Sequence, residues 1–318
     1  MPPIPLGTSH RLRAALALLI LTTTSCGADG TALGSGAEAV AGASCPSGGR
    51  KGRLPVPFTI AFGGDVHFEG VLRSRLDASP AEALGDVGST LSAADIAMVD
   101  PETAVTDAGT PAPGKRFLFR APATAFTALR EAGVDVATLA NNHGMDYGPD
   151  GLADTLASAG EAGFPLVGAG PDADAAYAPH VLDVSGNRVA LFGATDVLDD
   201  HLVAEWTAGA KTPGLASTKG EDLQRLVTAV RAAEAEADTV VVFLHWGREG
   251  DHCPLPHAPD LARRLVEAGA DAVVGGHSHV LGPGGHLDGA YVHYGLGNLA
   301  FHTSHRRDRR TAADHAGR

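Results

Sequence analysis

Short apolar runs alternate with longer segments of helical periodicity from about residue 57 onward, and this alternation restricts the fold more than any other feature. Apolar runs predict strands at residues 58–62, 95–99, 134–139, around 166, 239–244, 272–274 and 291–294, with a hairpin over 181–184 and 188–192. Apolar spacing predicts helices at residues 81–93, 124–132, 151–162, 222–237 and 260–268. Such alternation indicates βαβ units around a largely parallel core. The length suits one large α/β domain better than two small ones.

Side chains that can bind metal ions follow five of the predicted strands. The carboxyl ends of parallel strands meet at one edge of a sheet, so residues distant in sequence are expected to converge there. The segment Gly275-Gly276-His277-Ser278-His279 is the clearest case, because its glycines let the backbone bend sharply and leave room for an ion. The full set is Asp65 and His67, Asp100 and Glu102, Asn142 and His143, His245, and His277 with His279.

Each of these residues also has an interpretation without a metal. Asp65 suits a turn, Asn142 suits a helix cap, and His245 suits a satisfied core position, while His67 suits the protein surface. Recurrence of ligand types at successive strand ends favours a metal site over these alternatives. Aspartate, asparagine and imidazole together suit Mn²⁺, Fe²⁺ or Zn²⁺, and the three cysteines form no cluster for a structural zinc site. This many ligands predicts two divalent ions that share one carboxylate and bind both oxygens of a phosphate.

An ordered series of six motifs covers residues 57–302. The series is Gly64-Asp65, the Asp100/Glu102 strand end, Asn141-Asn142-His143-Gly144-Met145-Asp146, His245-Trp246-Gly247-Arg248-Glu249, Gly276-His277-Ser278-His279 and Tyr294-Gly295-Leu296-Gly297-Asn298-Leu299. It resembles the CapA family of capsule or poly-γ-glutamate synthesis proteins, a branch of the calcineurin-like metallophosphoesterases. The resemblance implies a four-layer α/β/β/α sandwich with a dinuclear metal site at the strand ends.

The same resemblance implies a role for each motif residue. His143 is expected to be the general acid that protonates the leaving oxygen, and Asp146 is the candidate to orient it. The implied ligands are Asp65, His67 and His279 for one ion, Asn142, His245 and His277 for the other, and Asp100 as the carboxylate that bridges both.

The chain departs from the family pattern at three places. It has Asp100-Pro101-Glu102 where the family commonly has Asn-Leu-Glu, and it has His67 where the family commonly has no histidine. Both changes move the chain toward the phosphoesterase ligand set. They leave Asp100 and Glu102 as alternatives for the bridge, of which Asp100 is favoured because it directly ends the strand. Relatives usually continue for tens of residues past the Gly-Asn-Leu segment, so we expect the sandwich to be truncated at its C-terminus.

Further polar residues near the motifs are candidates for supporting the ligands or holding a substrate. Arg120 and Arg248 suit a grip on a phosphate or carboxylate, although surface arginine is the commoner role. For the two glutamates, a solvated position is an equally good interpretation. The set is Glu102, Arg120, Arg248, Glu249 and Asn298.

The N-terminal segment has the pattern of an export signal. Arg11 and Arg13 precede an apolar run over residues 14–21 that is too short to span a bilayer. Residues 1–26 are therefore predicted to be a signal peptide. Cys26 lies between Ser25 and Gly27, as in a bacterial lipoprotein cleavage site, which predicts a lipid anchor at the extracytoplasmic face of the membrane. Plain secretion and an uncleaved anchor are the alternatives.

Composition assigns the segments on either side of the domain. Residues 27–56 are rich in Gly, Ala, Ser and Pro and predict a flexible tether. Residues 303–318 predict a disordered basic tail after the metallophosphatase domain at 57–302. If Cys26 carries lipid, Cys45 and Cys253 remain as a pair in an oxidising compartment, which predicts a disulfide between tether and domain. Two unpaired thiols are the alternative.

The formal net charge of −13 argues against a nucleic-acid partner. The first functional hypothesis is a metal-dependent phosphoesterase that acts outside the membrane on a phosphorylated or polyanionic cell-surface substrate. The alternative is a non-catalytic, polymer- or precursor-binding subunit of a cell-surface polymer assembly complex, with capsule or polyglutamate synthase subunits as partners. A third hypothesis, a lipid-anchored binding protein without metal, requires the ligand constellation to be accidental.

Overall fold

The computed structural model of the protein describes residues 20–22 and 56–302. Several predicted segments lie outside these residues. They are most of the signal peptide, the anchor Cys26, nearly all of the tether with Cys45, and the tail. The strands are β1 (Ile20–Thr22), β2 (Thr59–Val66), β3 (Ile96–Pro101), β4 (Ala104–Val105), β5 (Arg120–Ala121), β6 (Val136–Thr138), β7 (Leu166–Val167), β8 (Ala169–Gly170), β9 (His180–Val184), β10 (Asn187–Thr195), β11 (Gly214–Leu215), β12 (Thr239–Trp246), β13 (Ala272–His277), β14 (Gly284–Leu287), β15 (Ala290–His293) and β16 (Asn298–Ala300). The helices are α1 (Val71–Ala78), α2 (Val87–Leu91), α3 (Thr124–Glu131), α4 (Gly148–Ala162), α5 (Ala173–Ala176), α6 (Val203–Trp206), α7 (Asp222–Glu234) and α8 (Ala258–Glu267), with a 3₁₀ helix at Pro80–Glu82.

Two six-stranded sheets form the centre of the molecule. The first sheet has the order β1-β2-β3-β6-β7, and β16 also pairs with β2. Its strands β2, β3, β6, β7 and β16 are parallel, and β1 is antiparallel to β2. The second sheet has the order β14-β15-β13-β12-β10-β9, with a parallel centre and an antiparallel strand at each edge. The predicted mixed α/β class with a largely parallel core is confirmed.

Apolar side chains alternate between the two faces of each sheet, as the pleat of a strand requires. Ile60 and Phe62 of β2 pack in one cluster with Val241 and Phe243 of β12, so the two sheets bury one face against each other. Ala61, between the first two residues, belongs to a second cluster with helical residues of α1, α3 and α4. A third cluster joins the other face of the second sheet to α7 and α8. These three cores are compatible with the expected order of helix, sheet, sheet and helix.

The region between β2 and β3 differs from the sequence prediction. The single helix predicted over residues 81–93 is wrong, because the chain there forms the 3₁₀ helix Pro80–Glu82 and the short helix α2. Gly85 separates the two with a φ of 63°, a left-handed conformation that interrupts a right-handed helix. Helix α1 lies before this segment and was not predicted, because its buried side chains are limited to Leu72 and Leu76. None of the described helices combines the length and the apolar character that crossing a membrane requires.

Candidate metal centre

Asp65 lies where β2 reaches the carboxyl edge of the first sheet, and it is fully buried. Its carboxylate accepts the backbone N–H of His277 from β13 of the second sheet, with both oxygens 3.0 Å from the nitrogen. Gly276 makes this approach possible, because a Cβ atom there would lie 2.2 Å from Asp65 Oδ1. The glycine therefore has a packing role in bringing the ends of the two sheets together.

His277 and His279 leave β13 in left-handed backbone conformations, with φ angles of 81° and 57°. Non-glycine residues adopt this region at a cost, and such strain concentrates at functional sites. His279 Nδ1 lies 3.0 Å from Asp65 Oδ2 and 2.8 Å from Asn298 Oδ1. The predicted candidate Asn298 therefore contacts the ring of a predicted ligand, and β16 carries it to this position beside β2.

Glu102 lies at the centre of four imidazole rings and is 1% exposed. Its Oε1 atom is 3.7 Å from His245 Nε2, 4.0 Å from His277 Nδ1 and 3.8 Å from His143 Nε2. Its Oε2 atom is 3.8 Å from His279 Nε2. Both Oε2 of Glu102 and Nδ1 of His277 are buried without a hydrogen-bond partner. Buried polar atoms of this kind are normally satisfied, so the pair fits a bound cation.

Two groups of possible ligands share Glu102 as their common member. One group is Glu102, His245 and His277, and the other is Asp65, Glu102 and His279. Within each group one atom per residue lies within 4.8 Å of the others. Two of the three predicted ligands of each ion fall in one of these groups, and Glu102 is common to both.

Asp100 contacts the far side of the His245 ring instead. Its Oδ2 atom lies 2.7 Å from His245 Nδ1, and its Oδ1 atom accepts a hydrogen bond of 2.8 Å from Asn141 Nδ2. His245 Nε2 then lies 2.7 Å from Asn142 Oδ1. Histidines that bind metals usually hold a carboxylate on their other nitrogen, and Asp100 is placed for that supporting role. A third group of possible ligands joins Asp65, Asp100 and His245, so Asp100 also lies near one member of each predicted ligand set.

His143 and Asp146 form the pair that the motif predicted to work together. His143 Nδ1 lies 2.6 Å from Asp146 Oδ2, and both residues are buried. Asp146 also contacts Lys115, whose Nζ atom is 2.8 Å from Asp146 Oδ1. No motif in the sequence indicates Lys115, which lies between β4 and β5 and is brought to the site by the fold.

His67 lies beside the site, and its Nδ1 atom is buried without a hydrogen-bond partner. Its Nε2 atom accepts the backbone N–H of His302 at 2.6 Å, and its ring stacks on Phe301 with centroids 3.7 Å apart. Phe119 packs against the ring edge-on at 4.9 Å. Within the described part of the chain, His67 belongs to none of the three groups of possible ligands.

The buried groups of the site favour their uncharged forms in the absence of a cation. Burial raises the pKa of Glu102 well above its usual value, and the neighbouring charges of Asp65, Asp100 and Glu249 add to this. Burial also raises the pKa of Asp100 to about 8 and lowers the pKa of His245 to about 3. Divalent ions would reverse the first effect, because positive charge stabilises ionised carboxylates.

His279 differs from the other imidazoles in the direction of its shift. Burial alone would lower its pKa, but the hydrogen bond and negative charge of Asp65, together with Asn298, give a net increase. Burial lowers the pKa of His277 and of His143, although Asp146 partly opposes the shift of His143. Burial therefore favours the neutral form of His143, His245 and His277, whereas Asp65 favours the protonated form of His279.

A family model described as bacterial capsule synthesis protein PGA_cap matches residues 59–303 of the chain. The chain belongs to this family. PGA_cap is part of the metallophosphoesterase-like superfamily, so the predicted relationship is confirmed. The matched range contains every residue of the site described above.

Three curated relatives show the extent of the similarity. The capsule biosynthesis protein CapA of Bacillus anthracis is 38% identical over 175 residues, which cover 55% of this chain and 42% of that protein. The PGA biosynthesis protein CapA of Bacillus subtilis (strain 168) is 36% identical over 185 residues, covering 58% and 47%. A probable polyglutamine synthesis accessory protein of Mycobacterium tuberculosis (strain CDC 1551 / Oshkosh) is 32% identical over 223 residues, covering 69% and 58%. The chain thus spans about half the length of the curated relatives it matches.

The remaining predicted residues of this PGA_cap domain lie at its surface or in supporting contacts. Arg120 stacks on Tyr147 at 3.5 Å and donates to the carbonyl of Ala108 at 2.8 Å, so it fixes the backbone near the site. Arg248 and Glu249 are exposed on the turn after β12, and Arg248 lies 3.9 Å from Asp251. Cys253 is also exposed. Its predicted partner Cys45 lies outside the described residues, so the disulfide stays a prediction.

Proposed function

We propose that this protein is an exported, metal-dependent phosphoesterase that acts in the synthesis or anchoring of a capsule or poly-γ-glutamate polymer. The observation that carries the proposal is the position of Glu102 among four imidazoles, with a buried carboxylate oxygen that no protein group satisfies. A carboxylate buried with four histidines and Asp65 is costly without compensating positive charge. Cations are the simplest source of that charge.

Two divalent ions are proposed, because two of the three groups of possible ligands share Glu102 and otherwise use different residues. The donors are nitrogen and carboxylate oxygen, which suits Mn²⁺, Fe²⁺ or Zn²⁺. Asn142 joins the second group through its side-chain oxygen, which lies 2.7 Å from His245 Nε2. Such a pair of ions binds phosphate oxygens and lowers the pKa of bound water.

The chain itself supplies the acid for the leaving group. Asp146 occupies Nδ1 of His143, so the proton available for transfer is carried on Nε2, the atom that faces Glu102 at 3.8 Å. The buried carboxylate of Asp146 supports the protonated ring and fixes its orientation. His143 is proposed to protonate the leaving oxygen, and Phe119, whose ring lies 4.2 Å from the imidazole, shields this region from water.

The names of the relatives support a proposal for the substrate class. Two of the relatives are named for capsule or PGA biosynthesis, and a third for polyglutamine synthesis. We infer a phosphorylated or polyanionic cell-surface substrate, with capsule or polyglutamate synthase subunits as partners. Export by residues 1–26 and a lipid on Cys26 would place the domain at the extracytoplasmic face of the membrane.

The activity is tested with bis-(4-nitrophenyl) phosphate and the metal-loaded full chain. We expect turnover with at least one of Mn²⁺, Fe²⁺ and Zn²⁺, and its loss in Glu102→Gln. Glu131→Gln is the matched control, because Glu131 is an exposed glutamate of α3. A folded protein that binds the ions but hydrolyses no phosphate ester would contradict the proposal.

A second candidate function, a non-catalytic subunit that binds a polymer or its precursor, is favoured by the biosynthetic names of the relatives. It predicts that poly-γ-glutamate binds to the metal-loaded chain and that no phosphate ester is hydrolysed. Titration calorimetry with the polymer, beside the hydrolysis assay, separates the two functions.

The anchor is tested by growing cells with an alkyne-labelled fatty acid. We expect label on the wild-type chain in the membrane fraction and none on Cys26→Ser. Label on Cys26→Ser, or an unlabelled wild-type chain in the medium, would contradict lipid attachment at this residue.

A further inference from the structure

Lys115 is a buried cation beside the candidate metal centre. Its side chain is 4% exposed, and its Nζ atom lies 2.8 Å from Asp146 Oδ1 and 3.8 Å from Asp199 Oδ2. The same ammonium group donates to the backbone carbonyl of Asn142. It also lies over the Trp206 ring, 4.9 Å from the centroid. A buried lysine is rare unless paired, and here the paired residues belong to the site itself.

Lys115 belongs to residues 106–119, the segment that joins β4 to β5 and packs against Asp146. This segment contacts Asp146 at three points. The backbone N–H of Phe119 donates to Asp146 Oδ2 at 2.6 Å, and the backbone N–H of Ala112 donates to the Asp146 carbonyl at 2.8 Å. Lys115 occupies the remaining carboxylate oxygen. Asp146 is thus held on both oxygens while it contacts His143.

We propose that Lys115 is a positioning residue, which holds the turn from Asn142 to Asp146 so that Asn142 faces His245 and His143 faces Glu102. The expected effect of Lys115 on catalysis rests on the proposed function, whereas its role in holding the turn does not. Lys115 contacts both ends of the turn, the Asn142 carbonyl at one end and the Asp146 carboxylate at the other.

The contacts of Lys115 within the protein argue against a direct role in substrate binding. Its ammonium group donates to the Asn142 carbonyl and forms an ion pair with Asp146, and the carboxylate of Asp199 lies 3.8 Å away. Little of the side chain reaches solvent, so an incoming anion would have to displace one of these partners. Lys115 therefore acts through Asp146 and His143 rather than on the reacting atoms.

The structural part is tested by proton NMR of the full chain without added metal. The hydrogen bond between His143 and Asp146 is expected to give a downfield imidazole N–H resonance, assigned by its absence in His143→Gln. We expect Lys115→Met to lose this resonance to solvent exchange. Lys219→Met is the matched control, because Lys219 pairs with Asp196 at 3.6 Å on a different element and should leave the signal unchanged.

The catalytic part is tested with two esters that differ only in their leaving group, methyl 4-nitrophenyl phosphate and methyl phenyl phosphate. Phenol is the weaker acid, so its departure depends more on protonation by His143. Lys115→Met is expected to lower kcat on the phenyl ester by about 10–100-fold, with a smaller loss on the nitrophenyl ester and little change in KM. The variant with both Lys115→Met and His143→Gln should be no slower than His143→Gln alone.

Lys115→Gln is made alongside, because methionine at a buried charged position can prevent folding. Either variant can be used for both tests, provided that its amide spectrum matches that of the wild type and so shows that it is folded. An unchanged imidazole resonance together with an unchanged ratio of the two esters would overturn the positioning role. If the wild-type chain hydrolyses neither ester, the proposed function fails, and the resonance alone decides whether Lys115 holds His143.

Discussion

Glu102 and Asp100 are two residues apart and both buried, yet they contact different faces of the site. Glu102 lies between the two groups of imidazoles, and Asp100 lies behind the His245 ring. The side chains alternate along the extended backbone, but Pro101 and the end of β3 shift Glu102 beyond the strand, where its backbone N–H donates to the Val66 carbonyl at 2.8 Å. The strand-end argument favours Asp100 as the bridge, whereas the contacts with four imidazoles favour Glu102.

Metal analysis of two variants separates these roles. Glu102→Gln is expected to bind neither ion tightly, because both groups lose their shared carboxylate. Asp100→Asn is expected to retain both sites with about 10–100-fold weaker affinity, since it removes only the support of His245. Calorimetric titration with Mn²⁺ measures both affinities. Retention of two ions by Glu102→Gln and loss of one by Asp100→Asn would return the bridge to Asp100.

Asp154 links the segment 106–119 to α4 and makes stability depend on pH. Its carboxylate accepts hydrogen bonds from the Thr106 hydroxyl at 2.5 Å and the Asp107 N–H at 3.1 Å, and these contacts lower its pKa below the usual value. A lowered pKa in the folded state contributes stability above the unfolded pKa of about 3.9, and this contribution is lost as the pH falls further.

Asp154→Asn is therefore expected to unfold at lower urea concentration than the wild type at pH 7. The difference should shrink between pH 4 and pH 2.5 as the wild-type carboxyl becomes protonated. Urea midpoints across this range provide the measurement. Asp183→Asn, at an exposed aspartate of β9, should show no such trend, and a constant difference for Asp154→Asn would contradict the assignment.

The carboxyl ends of β2 and β13 approach each other so closely that a side chain on Gly276 would clash with Asp65. Gly276 faces Asp65, and Gly64 faces the Gly297 carbonyl, to which a Cβ would lie at 1.8 Å. Gly276 is thus required for contact between the sheets, and Gly64 for the close approach of β2 to the residue before β16 in the same sheet, in addition to the bends that the sequence suggested.

Gly276→Ala tests this close approach. The added methyl group must displace the Asp65 carboxylate, so we expect weaker binding of the ion in the group of Asp65 and a loss of about 1–3 kcal/mol of unfolding free energy. Gly285→Ala is the matched control, because a Cβ there meets no heavy atom within 4 Å. Its unfolding free energy should change by less than about 0.5 kcal/mol. Equal metal affinity in the two variants would contradict the packing role of Gly276.

The parts of the site that follow single strands could be predicted from the sequence, and the parts that depend on tertiary contacts could not. Apolar runs indicate where β2, β12 and β13 end, and therefore that Asp65, His245 and His277 converge. The position of Lys115 depends on how residues 106–119 fold over Asp146, for which periodicity gives no signal. The orientation of His67 likewise depends on Phe301 and on the backbone of His302, both distant in sequence. Helix α1 was missed because it has only two buried side chains, which give too weak an apolar pattern to predict a helix.

At the scale of the whole molecule, the site lies where the two sheets meet, and each sheet supplies ligands to both groups. Asp65 and Glu102 follow strands of the first sheet, while His245, His277 and His279 come from the second. A cation at either group would therefore connect the two sheets, in addition to the apolar core between them. Binding of ions to the folded chain should consequently stabilise the complete domain rather than one loop.

Thermal unfolding with and without metal measures this coupling. An ion present at 100 times its dissociation constant adds about 2.7 kcal/mol of stability if it binds only the folded state. For a domain of this size each kcal/mol raises Tm by about 2–4 °C, so one ion should raise Tm by about 5–10 °C. Addition of a chelator should return Tm to the metal-free value.

Glu102→Gln supplies the decisive comparison, because the variant keeps the volume of the side chain but lacks the shared charge. Its Tm without metal should equal or exceed that of the metal-free wild type, since a buried carboxylate without a cation is itself destabilising. Mn²⁺ should then raise its Tm far less than that of the wild type. A wild-type Tm that does not respond to any of the three ions, or an equal response in Glu102→Gln, would show that Glu102 does not hold an ion between the sheets.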